Sequence, residues 1–329
     1  MTERVPARRA RKRSGGRRES RVVHAPRASF EELEIHTQDG VALRALVEDP
    51  PAGVTLRGTC VMAHAMFARK SEFGRRDRPG LAQRYAAEGW RTIAFDFRGH
   101  GESTLPEGAR DWGYDDLVRW DLPAVVACAR ARSDHRPVVV IGHSLGAHVA
   151  LASQGTGRLA ADAVVAIAGS VWLRAFEPSR LRWAAKVALA RAMREAALRV
   201  GRIPARSLRI GSDDASARFV SDVLGFMKND AWASADHQDD YLASLGRVTI
   251  PVCAVASDGD RIVCHPESAE LFARRCAGPI KIIRITRSDD GRRPPGHMSM
   301  VTTERARSHL LAALHWTSSH LEVAGVFRR

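Results

Sequence analysis

No stretch of this 329-residue sequence is both apolar enough and free enough of charge to span a bilayer. The arginine pairs Arg8-Arg9 and Arg17-Arg18 are not followed by a hydrophobic segment, so neither a secretory nor a twin-arginine signal is expected. Cysteine is sparse. Cys60, Cys128, Cys253, Cys264 and Cys276 are odd in number and lack metal-ligand spacing. That sets aside a disulfide framework and a cysteine metal site. The expectation is a reducing cytoplasm, with no metal and no cofactor. Cys60 and Cys253 lie in strand-like runs and read as small buried hydrophobes. No internal repeat is visible, which sets aside repeat arrays.

What is present is enough apolar material for a closed core, 45 % of all residues. One large domain with an insertion fits this length as well as two domains do. The net charge of +14 is unevenly placed. Residues 1–28 hold ten Arg or Lys against Glu3 and Glu19, and residues 174–210 hold ten more against Glu177 and Glu195. The remainder is close to neutral, so only two segments need an electrostatic explanation.

Segment 1–28 has too few large apolar residues to offset its ordering entropy and is expected to be a disordered basic tail. It has almost no aromatic side chain to stack on bases, which argues against specific RNA recognition. It reads as a solubilising tail, with loose contact to anionic lipid or nucleic acid as the alternative.

From Phe30 onward the pattern is α/β. Asp39-Gly40 is a hairpin turn signal between two short strands. Strand-like runs follow at 59–64, 90–96, 137–141, 162–168, 250–256 and 279–286. Helices are expected at 79–88, opened by Pro79, at 114–132, after Ser144, at 266–276 and at 302–316. Strands alternating with helices argue for a mostly parallel sheet covered on both faces. Between Ser170 and Arg247 the alternation breaks. This Ala/Arg-rich stretch, with Trp172, Trp183 and Trp232, is too long for a loop and reads as a helical insertion over the carboxyl end of the sheet. Its charges read as a solvated helix face. Steering of anionic substrates and contact with a phospholipid surface are the alternatives. The charges do not form one stripe at helical period, which counts against a dedicated membrane helix.

Gly142-His143-Ser144-Leu145-Gly146 is a G-x-S-x-G pentapeptide between a buried-strand run, Pro137 to Ile141, and a helix-compatible stretch from Ala147. Strand, sharp turn and helix is the context in which such a serine is lifted out of the sheet as a nucleophile. A serine hydroxyl needs a base to take its proton and an acid to orient that base. The acid is expected at Asp260, after the strand Val252 to Ala256. Asp258 is the alternative, with an Asp-Gly turn as its other use. The base is expected at His297, in Pro295-Gly296-His297-Met298 after the last strand, whereas His315 sits inside the terminal helix and reads as packing or surface. An oxyanion would be held by two backbone N–H groups. Leu145, at a helix N-terminus, supplies one. Met66, in the loop after His64-Ala65, supplies the other, with His64 as a residue that braces the loop.

Four landmarks in order (His64-Ala65, Asp96-Phe97-Arg98-Gly99-His100-Gly101-Glu102-Ser103, the elbow at Ser144, and Asp260 with Gly296-His297) resemble the α/β-hydrolase superfamily, over about residues 30–320. The members most similar are esterases, lipases and serine-aminopeptidase-like enzymes. The resemblance implies an eight-stranded, mostly parallel sheet. It implies a core of residues 29–170 and 248–329, with a helical lid at 171–247. The Asp96–Ser103 stretch is implied to be structural. Two departures stand out: Ala65 replaces a usual glycine, and Cys264-His265 precede Pro266. Serine at the elbow sets aside dehalogenase and epoxide-hydrolase chemistry, which use aspartate there. Hydrolysis of a small-molecule carboxylic ester through an acyl-serine is the expectation. Acyl transfer, thioester or amide cleavage, and a non-catalytic ligand-binding role are the alternatives.

Overall fold

The computed structural model describes residues 30–325, apart from residues 76, 104, 106–110, 288–290 and 292. The tail, residues 1–28, lies outside the described residues. Eight strands form one sheet: β1 (Phe30–His36), β2 (Ala42–Glu48), β3 (Gly58–Ala63), β4 (Trp90–Phe95), β5 (Val138–His143), β6 (Ala163–Ile167), β7 (Val252–Ser257) and β8 (Ile280–Ile285). Their order is β1-β2-β4-β3-β5-β6-β7-β8. Only β2 runs against the others. The Asp39-Gly40 turn closes the opening hairpin, with Gly40 at φ +87°.

Parallel strands covered on both faces need apolar side chains at successive positions, because alternate residues point to opposite sides. β3 and β5 meet this demand and are buried throughout. Val61 and Ala63 of β3 join Val138 and Val140 of β5 in one core cluster. Cys60 and Met62 join Val139 and Ile141 in the cluster on the opposite face. Cys60 and Cys253 are buried as small hydrophobes, and every cysteine is free.

Helices α1 (Leu81–Ala87) and α7 (Arg307–Val323) cover one face, through Leu81, Tyr85, Leu310 and Leu314. Helices α2 (Leu122–Ala131) and α3 (Leu145–Gly155) cover the other, through Leu122, Val125, Val149 and Leu151. α1 starts two residues later than Pro79 suggests. Gly80 takes an extended conformation as N-cap, its N–H held by Gln83 Oε1 at 2.5 Å, and this leaves the proline outside. The terminal helix is likewise displaced. A short turn, Ser299–Thr302, is cut off from α7 by Thr303, whose extended backbone (φ −125°, ψ 162°) breaks the helical path.

Between β6 and β7 lie α4 (Arg180–Val200), α5 (Ala217–Asn229) and α6 (Tyr241–Ser244); a further helix, Pro266–Ala273, follows β7. α4 is capped by the Ser179 hydroxyl and ends at Gly201, which is left-handed at φ +73°. α4 is fastened to the core by a buried charge cluster. Lys186 Nζ lies 2.9 Å from Glu177, which also receives Arg182 at 2.8 Å and the Ser268 hydroxyl at 3.1 Å. Burial opposes ionisation of Glu177, but Lys186 and Arg182 outweigh it and hold the carboxyl below its ordinary value. No helix among the described residues is long and apolar enough to cross a membrane.

Glu48, at the end of β2, is buried, and burial pushes its carboxyl up to about 7 despite a hydrogen bond from Gln83 Nε2. A raised carboxyl binds its proton more tightly in the folded chain. Its contribution to stability is therefore complete below the unfolded value of about 4.3 and is lost as pH rises through 7. Glu48→Gln removes that loss while keeping a hydrogen-bonding amide. Urea unfolding should show the variant gaining on wild type between pH 5 and pH 8, by on the order of 2 kcal/mol. An equal difference at both pH values would contradict this reading of Glu48.

Candidate active site

Ser144 sits between β5 and α3 with φ 52° and ψ −108°, a conformation that a side-chain-bearing residue does not choose. Its neighbours make the turn feasible. A Cβ on Gly142 would stand 2.4 Å from the Ala147 nitrogen, and one on Gly146 would stand 2.1 Å from the Ala63 carbonyl oxygen. Three backbone bonds pin the elbow. Ser144 N–H donates to Ile167, Gly146 N–H to His64, and Ala147 N–H back to Ser144. The turn thus links β3, β5 and β6 at their carboxyl ends.

The structure brings the three residues singled out from the sequence together. The Ser144 hydroxyl lies 2.9 Å from His297 Nε2, and His297 Nδ1 lies 2.5 Å from Asp260 Oδ2. Asp260 is held from behind by the N–H groups of Val263 and Cys264, each at 3.1 Å. Burial alone would raise its carboxyl. The bond from His297, the attraction of that ring and the two backbone N–H groups outweigh it and hold Asp260 below the ordinary carboxylate value. Asp260 therefore stays ionised and fixes the hydrogen of His297 on Nδ1, which leaves Nε2 free to accept from the serine. Asp258 is placed elsewhere, paired with Arg284 at 2.6 Å. His315 lies on the exposed side of α7 beside Glu88.

Leu145 opens α3. Of the first N–H groups there, those of Gly146, Ala147 and His148 are taken by His64 and Ser144, while that of Leu145 has no acceptor among the described residues. Met66 occupies a turn closed by the bond from Ala68 N–H to Ala65 O at 3.1 Å. The left-handed residue of that turn is Phe67, at φ 63°, so the methyl group of Ala65 is accommodated without strain. His64 braces the loop. Its Nε2 accepts from Phe97 N–H at 3.0 Å, which leaves Nδ1 to donate to the Ala65 carbonyl at 2.8 Å. Complete burial drives His64 down to about 3, so it stays neutral at physiological pH.

Two residues that the sequence reading passed over join these parts. Glu72, nearly buried, accepts from Ala65 N–H at 3.0 Å and lies 3.2 Å from His143 Nδ1. His143, immediately before Ser144, places Nε2 3.2 Å from the carbonyl oxygen of His297. A carbonyl only accepts, so His143 Nε2 carries a hydrogen. No motif marks Glu72 in the sequence: with Asp77 it is one of two acids in the basic stretch shortly after His64. The insertion also reaches this turn. Ser212 N–H donates to Phe67 O at 2.6 Å, and Asp213 pairs with Arg69 while accepting from Gly101 N–H at 3.0 Å. Within the Asp96–Ser103 stretch, the Ser103 hydroxyl donates to Asp96 O at 2.6 Å and Arg98 spans Asp39 and Asp121.

The family model described as serine aminopeptidase, S33, matches residues 56–285. No curated protein matches the chain. Among solved structures, the chain is similar to the α/β hydrolase GrgF from Penicillium sp. sh18, at 17 % identity and TM-score 0.60, covering 89 % of this chain and 99 % of that one. It is also similar to an esterase from Pyrococcus furiosus, at 18 % identity and TM-score 0.58, covering 88 % and 91 %. A third likeness is to an esterase from Exiguobacterium antarcticum, at 18 % identity and TM-score 0.56, covering 88 % and 100 %. At these identities the likeness speaks for the fold.

The elbow geometry makes a stability prediction. Gly146→Ala drives a methyl group into the backbone of β3, which cannot move without shifting the sheet. Its melting temperature should fall by more than about 5 °C. Gly246→Ala, where an added Cβ meets nothing within 4 Å, should stay within about 1 °C of wild type. Equal melting of the two variants would show that the close approach at the elbow is not a constraint.

Proposed function

As a member of the serine aminopeptidase S33 family, the chain is an α/β hydrolase, and we propose that it cleaves carboxylic esters through an acyl-serine intermediate. The observation that carries this reading is the relay of Ser144, His297 and Asp260, with 2.9 Å between the hydroxyl and the imidazole. Ser144 Oγ attacks the ester carbonyl carbon as His297 Nε2 takes its proton. The charge that develops on the carbonyl oxygen meets the N–H groups of Leu145 and Met66. Asp260 stabilises the imidazolium. Collapse breaks the bond to the alcohol oxygen, which leaves with the proton from His297. Water, deprotonated by the same imidazole, then attacks the acyl-serine and releases the acid.

Esters are favoured because an alcohol is a better leaving group than an amine, and because no further acid is needed to expel it. A thioester or amide would use the same groups, and an alcohol bound in place of water would make the reaction acyl transfer. The insertion, residues 171–247, acts in this reading as a lid. Its contacts from Ser212 and Asp213 to the Phe67 turn and Gly101 couple it to the oxyanion site. Glu72 and His143 act as positioning residues, holding the Met66 turn and the His297 loop in register.

A panel of p-nitrophenyl esters of graded chain length, with thioesters and aminoacyl amides alongside, tests the reading. Wild type should hydrolyse at least one ester class, and Ser144→Ala should lose at least about a thousandfold in kcat. Turnover unchanged in Ser144→Ala would end the proposal. Glu72→Ala should lower kcat by roughly ten- to a hundredfold with KM little changed, because it loosens the oxyanion turn and the histidine loop together. Glu72→Gln, which still accepts from Ala65 N–H, should retain part of that loss. A fall confined to KM would assign Glu72 to substrate binding instead.

A further inference from the structure

Helix α4 is apolar on more sides than it can bury. Its inner stripe, Lys186, Ala190 and Ala197, packs inward. Outside that stripe stand Leu181, 82 % exposed, and Leu198, 67 % exposed, while Leu189 and Val200 lie on a different side of the helix, about half a turn from Leu198. Leu208 and Ile210 follow in the loop beyond. These are six of the eleven large apolar side chains exposed among the described residues, gathered within thirty positions. Scattered exposed leucines are ordinary, but a cluster of this kind marks a surface that meets something.

The same thirty positions are strongly basic. Arg182, Lys186, Arg194 and Arg202 have carboxylate neighbours. Arg180, Arg191, Arg199, Arg206 and Arg209 have no ion-pair partner among the described residues. A groove of about 890 Å³ opens between α4 and α5, walled by Trp183, Val187, Val220 and Leu224 and bordered by Arg191 and Lys228. Ile210 also lines a second cavity, of about 290 Å³, together with Met66, Phe67 and Met298. Ile210 therefore reaches the cavity that Met66 and Phe67 line.

A second copy of the chain fits this surface poorly. A two-fold contact would press two patches of the same high positive charge together. A bilayer carrying anionic headgroups answers both features at once: its interface accepts leucine side chains, and its phosphates draw the arginines. The arginines are spread around α4 rather than gathered in one stripe. Long arginine stems can reach back to the headgroups from such positions while the apolar side chains enter.

We propose that residues 180–210 form a docking surface for an anionic lipid bilayer, with Leu181, Leu198 and Ile210 entering the headgroup boundary and the unpaired arginines contacting phosphates. This docking does not depend on which bond the active site cleaves.

Vesicle flotation of the full chain tests it, with vesicles of phosphatidylcholine alone and with roughly one third phosphatidylglycerol. The full chain should float with the anionic vesicles at least about tenfold better than with neutral ones, and high salt should weaken this. Leu181→Asp/Leu198→Asp/Ile210→Asp and Arg191→Glu/Arg199→Glu, both made in the full chain, should each lower flotation at least about tenfold. All five positions are exposed, so thermal melting of both variants should match wild type; the arginine pair decides the matter if the triple variant melts early. Failure of wild type to float overturns the proposal. So does undiminished flotation of the variants, which would assign binding to the tail. A concentration-dependent dimer that dissociates in the same variants would name a second copy as the occupant and overturn it too.

Discussion

Everything at this site follows from one backbone conformation that the chain adopts against the preference of the residue in it. Ser144 is held at a positive φ by the bonds from its own N–H to β6 and from Gly146 N–H to the end of β3. Such a conformation persists only where the surroundings over-determine it. Here the surroundings are the buried centre of the sheet, β3 and β5, whose side chains fill the cores on both faces. The strain is thus secured by two strands that are buried along their whole length. Its result is a hydroxyl raised clear of the sheet, beside a helix N-terminus whose first N–H has no acceptor among the described residues.

The remaining parts are fixed relative to that serine by hydrogen bonds to backbone rather than by sequence proximity. Asp260 is seated by two N–H groups of its own loop and so presents one oxygen to His297. Glu72 ties the turn carrying Met66 to His143, and His143 ties the elbow to the His297 carbonyl. One carboxylate thereby couples the Met66 turn to the His297 loop. The insertion adds a fourth anchor through Ser212 and Asp213. A movement of that segment would be felt at the Met66 turn, because Phe67 O and the Arg69 side chain are shared between them.

The sheet, the elbow and the meeting of Ser144, His297 and Asp260 were legible because each residue sits in a locally encoded setting. Buried parallel strands announce themselves as apolar runs, and the two glycines flanking Ser144 are there because their Cβ atoms would collide with backbone. Asp260 could be preferred over Asp258 from its place before Arg261-Ile262-Val263, and the partner of Asp258 turned out to be Arg284, on the neighbouring strand β8. Glu72 was not legible. Its partners, Ala65 and His143, lie on separate segments, and nothing in its own turn has a period. Helix ends were also misjudged where a cap outranked a proline, as at Gly80, or an extended residue cut a helix, as at Thr303. The basic character of residues 174–210 could be counted from the sequence. Which leucines face outward could not, because exposure depends on what α4 packs against.

The account rests on Ser144 being the atom that attacks, made nucleophilic by His297. The most direct measurement is the rate and site of labelling by a fluorophosphonate, followed by peptide mass spectrometry. The account predicts a single adduct on Ser144, formed far more slowly in His297→Ala although the serine is still present. A chain that folds yet takes no adduct, or one labelled at another residue at a rate indifferent to His297, would contradict it.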